Sequence, residues 1–367
     1  MSEMLAMVNK SDTSGVLGIL GGGQLARMIT QAASDYGIRC HILTPERDSP
    51  ASHVAARTVV GAYEDETALT SFASEVGVVT YEFENVPAPT ARYFENRGIL
   101  RPGSRALAIT QDRLLEKDFL TSIGLAVAPY RRVDTVSDLK AAALDLGLPA
   151  ILKTRRFGYD GKGQIRITSV EEIAPAFSSL GEVPAILEGI VPFAMEASVI
   201  AARASDGETS IFDICENEHT NHILDVTRVP AGISASASLD AKNAARLVAS
   251  ELEYIGVVTV ELFIEKDEAG ERVLVNEIAP RVHNSGHWTI EGAATSQFHQ
   301  HVRAVCGLPL GSTTRRGVIE MKNLIGEDVH DWRRILAEAG TYPHLYGKVQ
   351  ARPGRKMGHV TRVIPEA

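Results

Sequence analysis

The segment Lys153-Thr-Arg-Arg-Phe-Gly158-Tyr-Asp-Gly161-Lys-Gly163-Gln164 carries the densest chemistry in the chain. Its three glycines, each unpenalised at positive φ, make a pliable turn, and Lys153, Arg155, Arg156 and Lys162 surround it with positive charge. Backbone amides and cations together wrap a polyphosphate. This is not a Walker A loop, because GKS/T is missing and no helix follows directly. The plainer alternative is a basic surface hairpin. Tyr159 and Asp160 are unusual in a phosphate loop, since an aspartate repels phosphate; Asp160 suits a nucleophile or an amine on a substrate.

A second group lies where Val258-Thr-Val-Glu261-Leu-Phe-Ile is followed by Glu-Lys-Asp-Glu-Ala-Gly and then Arg272-Val-Leu-Val-Asn276-Glu277-Ile278. The composition predicts a β-hairpin with its turn between residues 268 and 269. Reflection about that turn sets Glu261 opposite Asn276 or Glu277. Two carboxylates about 4.5–5.5 Å apart on one sheet face repel. A hard divalent cation removes the repulsion, and carboxylate and amide oxygens with nucleotide phosphates are what Mg²⁺ takes. The alternative is that one glutamate points to solvent or pairs with Arg281.

Directly after the hairpin, Ala279-Pro-Arg281-Val-His283-Asn284-Ser285-Gly286-His287-Trp288 is too polar for a core strand. Beside the metal it would suit a second substrate. Its two histidines lack the HExxH context of a zinc site.

Near the start, Gly21-x-Gly23-x-x-Ala26 follows an apolar run and fits a dinucleotide fingerprint. A nicotinamide site also wants an acidic residue about 20 residues on, for a ribose hydroxyl. Here that stretch reads His41-Ile-Leu-Thr44-Pro45, with Glu46 only after the proline. Another phosphorylated ligand, or a turn without a ligand, fits better.

The elements that would carry these groups alternate between strand and helix patterns up to about residue 113. Strands are expected from Gly15 up to the glycine turn and at Arg39–Leu43, Thr58–Val60 and Gly77–Tyr81, with helices from Gln24 and over Thr67–Glu75. Residues 1–113 thus read as a small doubly wound domain, α/β in class. Residues 114–191 read as an α+β lobe: helices Gln111–Ser122, Val136–Leu146 and Val170–Ser178, and strands Ala150–Lys153, Gln164–Ile167 and Ala185–Leu187. Residues 192–367 are strand-rich, with helices expected at Ala241–Tyr254 and Ser296–Val305.

Lys plus Arg number 37 and Asp plus Glu 46, a formal net charge of −9 over 367 residues. That balance argues against nucleic acid as a partner, which needs a basic face. Cys40, Cys215 and Cys306 are odd in number and form no CxxC, so a disulfide scaffold is not expected. No apolar run reaches the ~18 residues of a membrane helix. Residues 1–14 lack a signal-peptide core and read as a frayed leader. The expectation is a cytoplasmic protein.

The loop GYDGKGQ, the hinge Leu187-Glu188-Gly189-Ile190-Val191, the strand end Asn276-Glu277-Ile-Ala-Pro-Arg281 and the run His283-Asn-Ser-Gly-His-Trp288 resemble the ATP-grasp enzymes. Within them they resemble the N5-carboxyaminoimidazole ribonucleotide synthetase family. Gly-Gly-Gln24-Leu25, Tyr81-Glu82-Phe-Glu84-Asn85, Gln111-Asp-Arg113 and Arg352-Pro-Gly-Arg355-Lys356-Met-Gly-His359 extend the likeness over nearly the whole chain. The departures are the residues before the first strand and Tyr81, where a smaller polar residue is common.

The resemblance implies an ATP-grasp fold behind a Rossmann-like domain that binds no nicotinamide. It implies ATP at Arg113, Lys153, Gly158, Tyr159, Asp160, Gly161, Lys162, Gly163 and Gln164, at the hinge Glu188–Val191 (Glu188, Gly189, Ile190, Val191), and at Glu196, His219, Asn276 and Glu277. Glu261 and Glu277 would be the magnesium ligands. Lys348, Arg355 and Lys356 would grip the phosphate of 5-aminoimidazole ribonucleotide, with Gln24, Leu25, Glu84 and Asn284 completing that site. The implied reaction is ATP- and bicarbonate-dependent carboxylation through carboxyphosphate, without biotin, in a homodimer. Asp160, Tyr159 and Arg281 are the catalytic candidates; Asp160 would receive the amine's proton, with His283 and His287 as alternatives.

Competing readings are a formate-dependent glycinamide ribonucleotide transformylase of the same superfamily, a biotin carboxylase, a nicotinamide oxidoreductase and a non-catalytic nucleotide-binding module. Metal and lid residues together count against the last, and the missing acidic residue against the nicotinamide enzyme.

Overall fold

The computed structural model describes residues 15–158 and 161–364. Tyr159 and Asp160, and the leader read at residues 1–14, lie outside the described residues.

The described residues build three sheets. In the first, β1 (Val16–Leu20), β2 (Arg39–Thr44), β3 (Arg57–Val60) and β4 (Val78–Tyr81) run parallel in the order β3-β2-β1-β4. A strand buried on both faces needs apolar side chains throughout, and Val16, Leu17, Ile19 and Leu20 are all buried. Leu17 and Ile19 pack on the Gln24–Asp35 helix, while Val16 and Leu20 pack on Leu69, Phe72 and Phe94. Helices at Ala88–Glu95 and Ser104–Thr110 were not anticipated.

The second sheet holds β5 (Tyr130–Val133), β6 (Ala150–Thr154), β7 (Gln164–Ile167) and β8 (Ala185–Gly189), antiparallel in the order β5-β8-β6-β7. It keeps a core of its own against the Val136–Leu146 helix, which starts at a Thr135/Asp138 capping box. The segment expected to be helical from Val170 begins as a 3₁₀ turn, Val170–Glu172, before the α-helix Ile173–Ser179.

The third sheet is antiparallel. It comprises β9 (Phe193–Arg203), β10 (Thr209–Ile211), β11 (Cys215–Thr220), β12 (Ile223–Val229), β13 (Gly256–Asp267), β14 (Gly270–Ala279), β15 (Val318–Ile325), β16 (Thr341–Leu345) and β17 (Lys356–Ile364). The order is β14-β13-β9-β11-β12-β15-β17-β16, with β10 beside β9. The Ala235–Glu251 helix packs on one face of it. That helix starts earlier than expected because Ser234 caps it, its hydroxyl accepting the Ala237 N–H.

One core cluster runs from Leu17 and Ile29 through Phe298 and Val302 to Ile200, Val257 and Ile319, so the first and third sheets share an interior. Among the described residues no helix is long and apolar enough to cross a membrane. Cys40, Cys215 and Cys306 are free thiols.

Candidate active site

The β13–β14 hairpin turns where expected, with Asp267 Oδ1 accepting from the Ala269 and Gly270 N–H groups. The register pairs Glu261 with Glu277. A bulge between Glu261 and Leu262 leaves Asn276 as the extra residue, which resolves the choice between 276 and 277 in favour of the two carboxylates. Neither pairs with Arg281. Arg113 Nη1 lies 2.9 Å from Glu277 Oε2, His283 Nε2 lies 2.9 Å from Glu261 Oε1, and Arg281 Nε reaches Glu84 Oε2 at 2.8 Å. Burial would raise the Glu261 pKa, but the His283 contact and the nearby His219 and Arg281 outweigh it and bring it down. Among the described residues no group of three or more His, Cys, Asp or Glu side chains is arranged to hold a metal.

β14 is an edge strand, and the Arg113–Ser122 helix closes its open side. Asp112 caps that helix, its Oδ1 accepting from the Leu114 and Leu115 N–H groups. Arg113, Glu116 and Lys117, at i, i+3 and i+4, then share one face. Arg113 takes Glu277, Glu116 Oε1 accepts the Ile278 N–H at 2.8 Å, and Lys117 Nζ donates to the Asn276 carbonyl at 2.8 Å. Burial and the neighbouring Glu277 push Glu116 up to about 8. The sequence reading missed Glu116 and Lys117. Their signal was a charged pair sharing a helix face with Arg113, where an apolar stripe is normal.

The glycine loop joins β6 to β7. Gly161 has φ of 77°, and a Cβ there would stand 2.7 Å from the His222 ring. Arg155 in the loop makes a bidentate pair with Asp112, Arg156 Nη2 donates to Gln111 Oε1 at 2.8 Å, and Lys153 pairs with Glu188 at 2.7 Å. Arg113 Nη2 donates to the Gly158 carbonyl at 3.3 Å. Glu188 is buried; burial would raise its carboxyl, but Lys117, Lys153 and Arg113 bring it down to about 2. Next to it, the Gly189 N–H donates to the Pro129 carbonyl, and the Ile190 side chain is exposed. Glu196 Oε2 contacts His219 Nδ1 at 2.7 Å, and that carboxylate overcomes burial to raise the His219 pKa.

Glu84, Gln111, Arg113, Gly158, Glu277 and Arg281 line one cavity, where the first domain, the central lobe and the β14 end meet. On the first domain, the Gln24–Asp35 helix begins at a protein carboxylate. Glu82 accepts from the Gly23 N–H and, at 2.8 Å, from the Ala26 N–H. A Cβ at Gly21 would sit 2.4 Å from Glu82 Cγ, so the glycines there make room for that side chain. Lys348 Nζ donates to the Lys356 carbonyl at 2.7 Å, and Arg355 Nη1 donates to the Gln350 carbonyl. Burial, then Arg355 and Lys356, push Lys348 down to about 8, against the opposing pull of Glu82 and Glu46.

The polar run after β14 is a correction. Ser285, His287 and Trp288 are buried at 0, 1 and 0 % exposure, and most of the run is buried with them. Its polar atoms are paired internally: His287 Nδ1 accepts from Gln297, Trp288 Nε1 donates to Cys215 Sγ, and Asn284 bonds reciprocally with Asn323. Burial, with His283 and Lys356 nearby, drives His287 well below the usual histidine range, and its ring packs on Phe298 and His359. Only His283 of the two histidines stands at the carboxylates.

Residues 15–111 match the ribonucleotide synthetase preATP-grasp domain, 118–298 the ATP-grasp domain and 320–367 the phosphoribosylaminoimidazole carboxylase C-terminal domain. The N5-carboxyaminoimidazole ribonucleotide synthase of Brucella melitensis is 49% identical over 351 residues, covering 95% of this chain and 96% of that one. The crystal structure of the Thermus thermophilus synthetase is 44% identical with a TM-score of 0.88, covering 95% of this chain and 93% of that one. That of the Aspergillus clavatus enzyme, in complex with ADP and 5-aminoimidazole ribonucleotide, is 31% identical with a TM-score of 0.88, covering 95% and 94%. With full-length likeness of this strength in both sequence and fold, the chain belongs to the N5-carboxyaminoimidazole ribonucleotide synthase family of ATP-grasp enzymes.

Proposed function

We propose that this chain uses ATP and bicarbonate to carboxylate the 5-amino group of 5-aminoimidazole ribonucleotide, a step of purine biosynthesis. The observation that carries the reading is Arg113, which bonds the lid carbonyl of Gly158 and the Glu277 carboxylate at once, in the cavity where three lobes meet.

Bicarbonate is a poor electrophile because its oxygens leave badly. Transfer of the γ-phosphoryl group of ATP to it gives ADP and carboxyphosphate. The ribonucleotide amine attacks that carbon, phosphate leaves, a proton is lost and the carbamate remains. The protein contributes positioning and charge neutralisation, as in phosphoryl transfer generally.

Lys153, the Gly158–Gln164 loop with Tyr159 and Asp160, and the Glu188–Val191 hinge take the nucleotide. Glu196 accepts from the ribose hydroxyls, and its bond to His219 supports that role by fixing the carboxylate. Lys348, Arg355 and Lys356 hold the ribonucleotide phosphate, with Gln24, Leu25, Glu84 and Asn284 around the rest. Asp160 receives the proton of the amine, and Tyr159 and Arg281 flank the reacting groups.

Glu261 and Glu277 fit magnesium: they face each other in register, and each already draws a cationic or donor side chain to offset its charge. Two carboxylates with nucleotide phosphates are the oxygen set Mg²⁺ prefers, and the bound ion would neutralise phosphate charge there. The enzyme is expected to act in the cytoplasm as a homodimer.

The test is ADP release with bicarbonate present, with and without 5-aminoimidazole ribonucleotide. Strong stimulation by that nucleotide is expected. Stimulation by formate with glycinamide ribonucleotide instead would overturn the assignment.

A further inference from the structure

A buried chain of hydrogen bonds ends on the carboxylate pair. Thr227 Oγ1 donates to Asn217 Oδ1 at 3.0 Å, and Asn217 Nδ2 donates to Ser198 Oγ at 2.9 Å. Ser198 Oγ donates to Ser285 Oγ at 2.7 Å, Ser285 Oγ meets His283 Nδ1 at 2.9 Å, and His283 Nε2 meets Glu261 at 2.9 Å. Thr227, Ser198 and Ser285 are fully buried and Asn217 nearly so. Water is therefore not available to substitute for a missing partner.

A hydroxyl has one hydrogen to give. Asn217 spends an amide hydrogen on Ser198, so Ser198 turns its own toward Ser285, and Ser285 turns its own toward His283 Nδ1. The far end imposes the same direction. Glu261 accepts only, so Nε2 must carry a hydrogen; the Ser285 backbone N–H also donates to Nδ1, at 3.3 Å, so Nδ1 must offer its lone pair. The backbone is clamped too: Gln297 Oε1 accepts the His283 N–H at 2.9 Å, and Gln297 Nε2 donates to the His283 carbonyl at 2.7 Å.

We infer that Asn217, Ser198 and Ser285 are positioning residues that hold the Nδ1 lone pair of His283 and so lock the ring with its Nε2–H aimed at Glu261. Which nitrogen of a histidine carries the hydrogen is set by the bond the other makes. One consequence follows: the Glu261 carboxylate is held in one orientation by a neighbour that cannot rotate. The effect on turnover rests on the carboxylation reading above; the tautomer does not.

The experiment uses the full chain labelled with ¹⁵N in histidine. Long-range proton–nitrogen correlation spectra identify the His283 signal by its loss in His283→Gln. Wild type should show the Nε2–H tautomer. Asn217→Asp keeps the shape but reverses the first link, because a carboxylate accepts from Ser198; Ser285 then turns its hydrogen away, and the Nδ1 signal should shift toward that of an unbonded lone pair while Nε2–H, still facing Glu261, persists. Turnover should fall about tenfold or more, the usual scale for a group that orients a functional side chain, with the KM for ATP nearly unchanged. If buried charge unfolds that variant, Ser285→Ala gives the same readout, and Ser198→Thr, which keeps the hydroxyl, should retain both the Nδ1 signal and the rate. Nδ1–H in wild type, an unmoved Nδ1 signal in folded Asn217→Asp or Ser285→Ala, or a moved signal with full kcat would each overturn the inference. Because the spectra are taken without substrate, a failed carboxylation assay in wild type is a separate result.

Discussion

Lys117 Nζ lies 2.8 Å from the main-chain oxygen of Asn276, so a buried lysine holds the bulge of the strand that carries Glu277. The same ammonium stands 3.8 Å from Glu188 Oε1, an oxygen without a hydrogen-bond partner. Lys117→Met removes both contacts and leaves a buried carbonyl unsatisfied. The expected loss is about 3 kcal/mol of stability, the scale for orphaned buried polar groups. Denaturant unfolding checks it, and a midpoint equal to that of wild type would show that β14 holds its shape without the lysine.

Glu277 sits opposite Glu261 and also anchors Arg113, so its removal breaks two relationships. Glu277→Ala should abolish magnesium-dependent ADP formation. Glu277→Gln still accepts from Arg113 but lacks the charge, so its turnover should be low and should need more magnesium. A magnesium titration of ADP release separates the two. Retained activity in the alanine variant would remove the hairpin from the metal site.

The hairpin also shows how far the residues could be read unaided. The turn at 268–269 and the facing carboxylates follow from local pattern, and the capped helix Val136–Leu146 was legible from its own ends. The bulge at Asn276 was not. It is held by Glu116 and Lys117, which lie 162 and 159 positions away from their partners. The burial of the polar run Ala279–Trp288 was illegible for a similar reason. It is no core strand, as its composition suggested, yet Gln297, Ser285 and Cys215 supply buried partners that no spacing announces. At the first glycine loop the pattern left a phosphorylated ligand or a turn without one open, and a distant glutamate, Glu82, accepts from the N–H groups at the helix start. Roles at Tyr159 and Asp160 rest on resemblance.

Arg355→Ala distinguishes the two proposed anionic sites. Arg355 neighbours Lys348 and stands just before β17. Arg355→Ala should raise the KM for the ribonucleotide far more than that for ATP, since a guanidinium lost from a phosphate grip costs that ligand alone. Steady-state kinetics with each substrate varied in turn decides it. Equal shifts would move the ribonucleotide phosphate elsewhere.

With Lys348 in the proposed phosphate grip, ribonucleotide binding should depend on pH. Burial, with Arg355 and Lys356 beside it, lowers its pKa from 10.5 to about 8. Below about pH 7 the ammonium is charged in the free and bound enzyme, and binding moves no proton through it. Above about 8 the free enzyme has lost that proton, and a bound dianionic phosphate draws it back. Ribonucleotide affinity should therefore fall as pH rises through 8, with net proton uptake on binding. Folding stability takes the opposite sign, because between about 8 and 10.5 the unfolded chain binds the proton that the folded chain has lost, so this lysine's contribution to stability rises with pH. Calorimetric titration in two buffers of different ionisation enthalpy measures the uptake. Lys348→Arg, charged throughout, should abolish it and flatten the affinity profile; uptake that persists in that variant would assign the proton to another group.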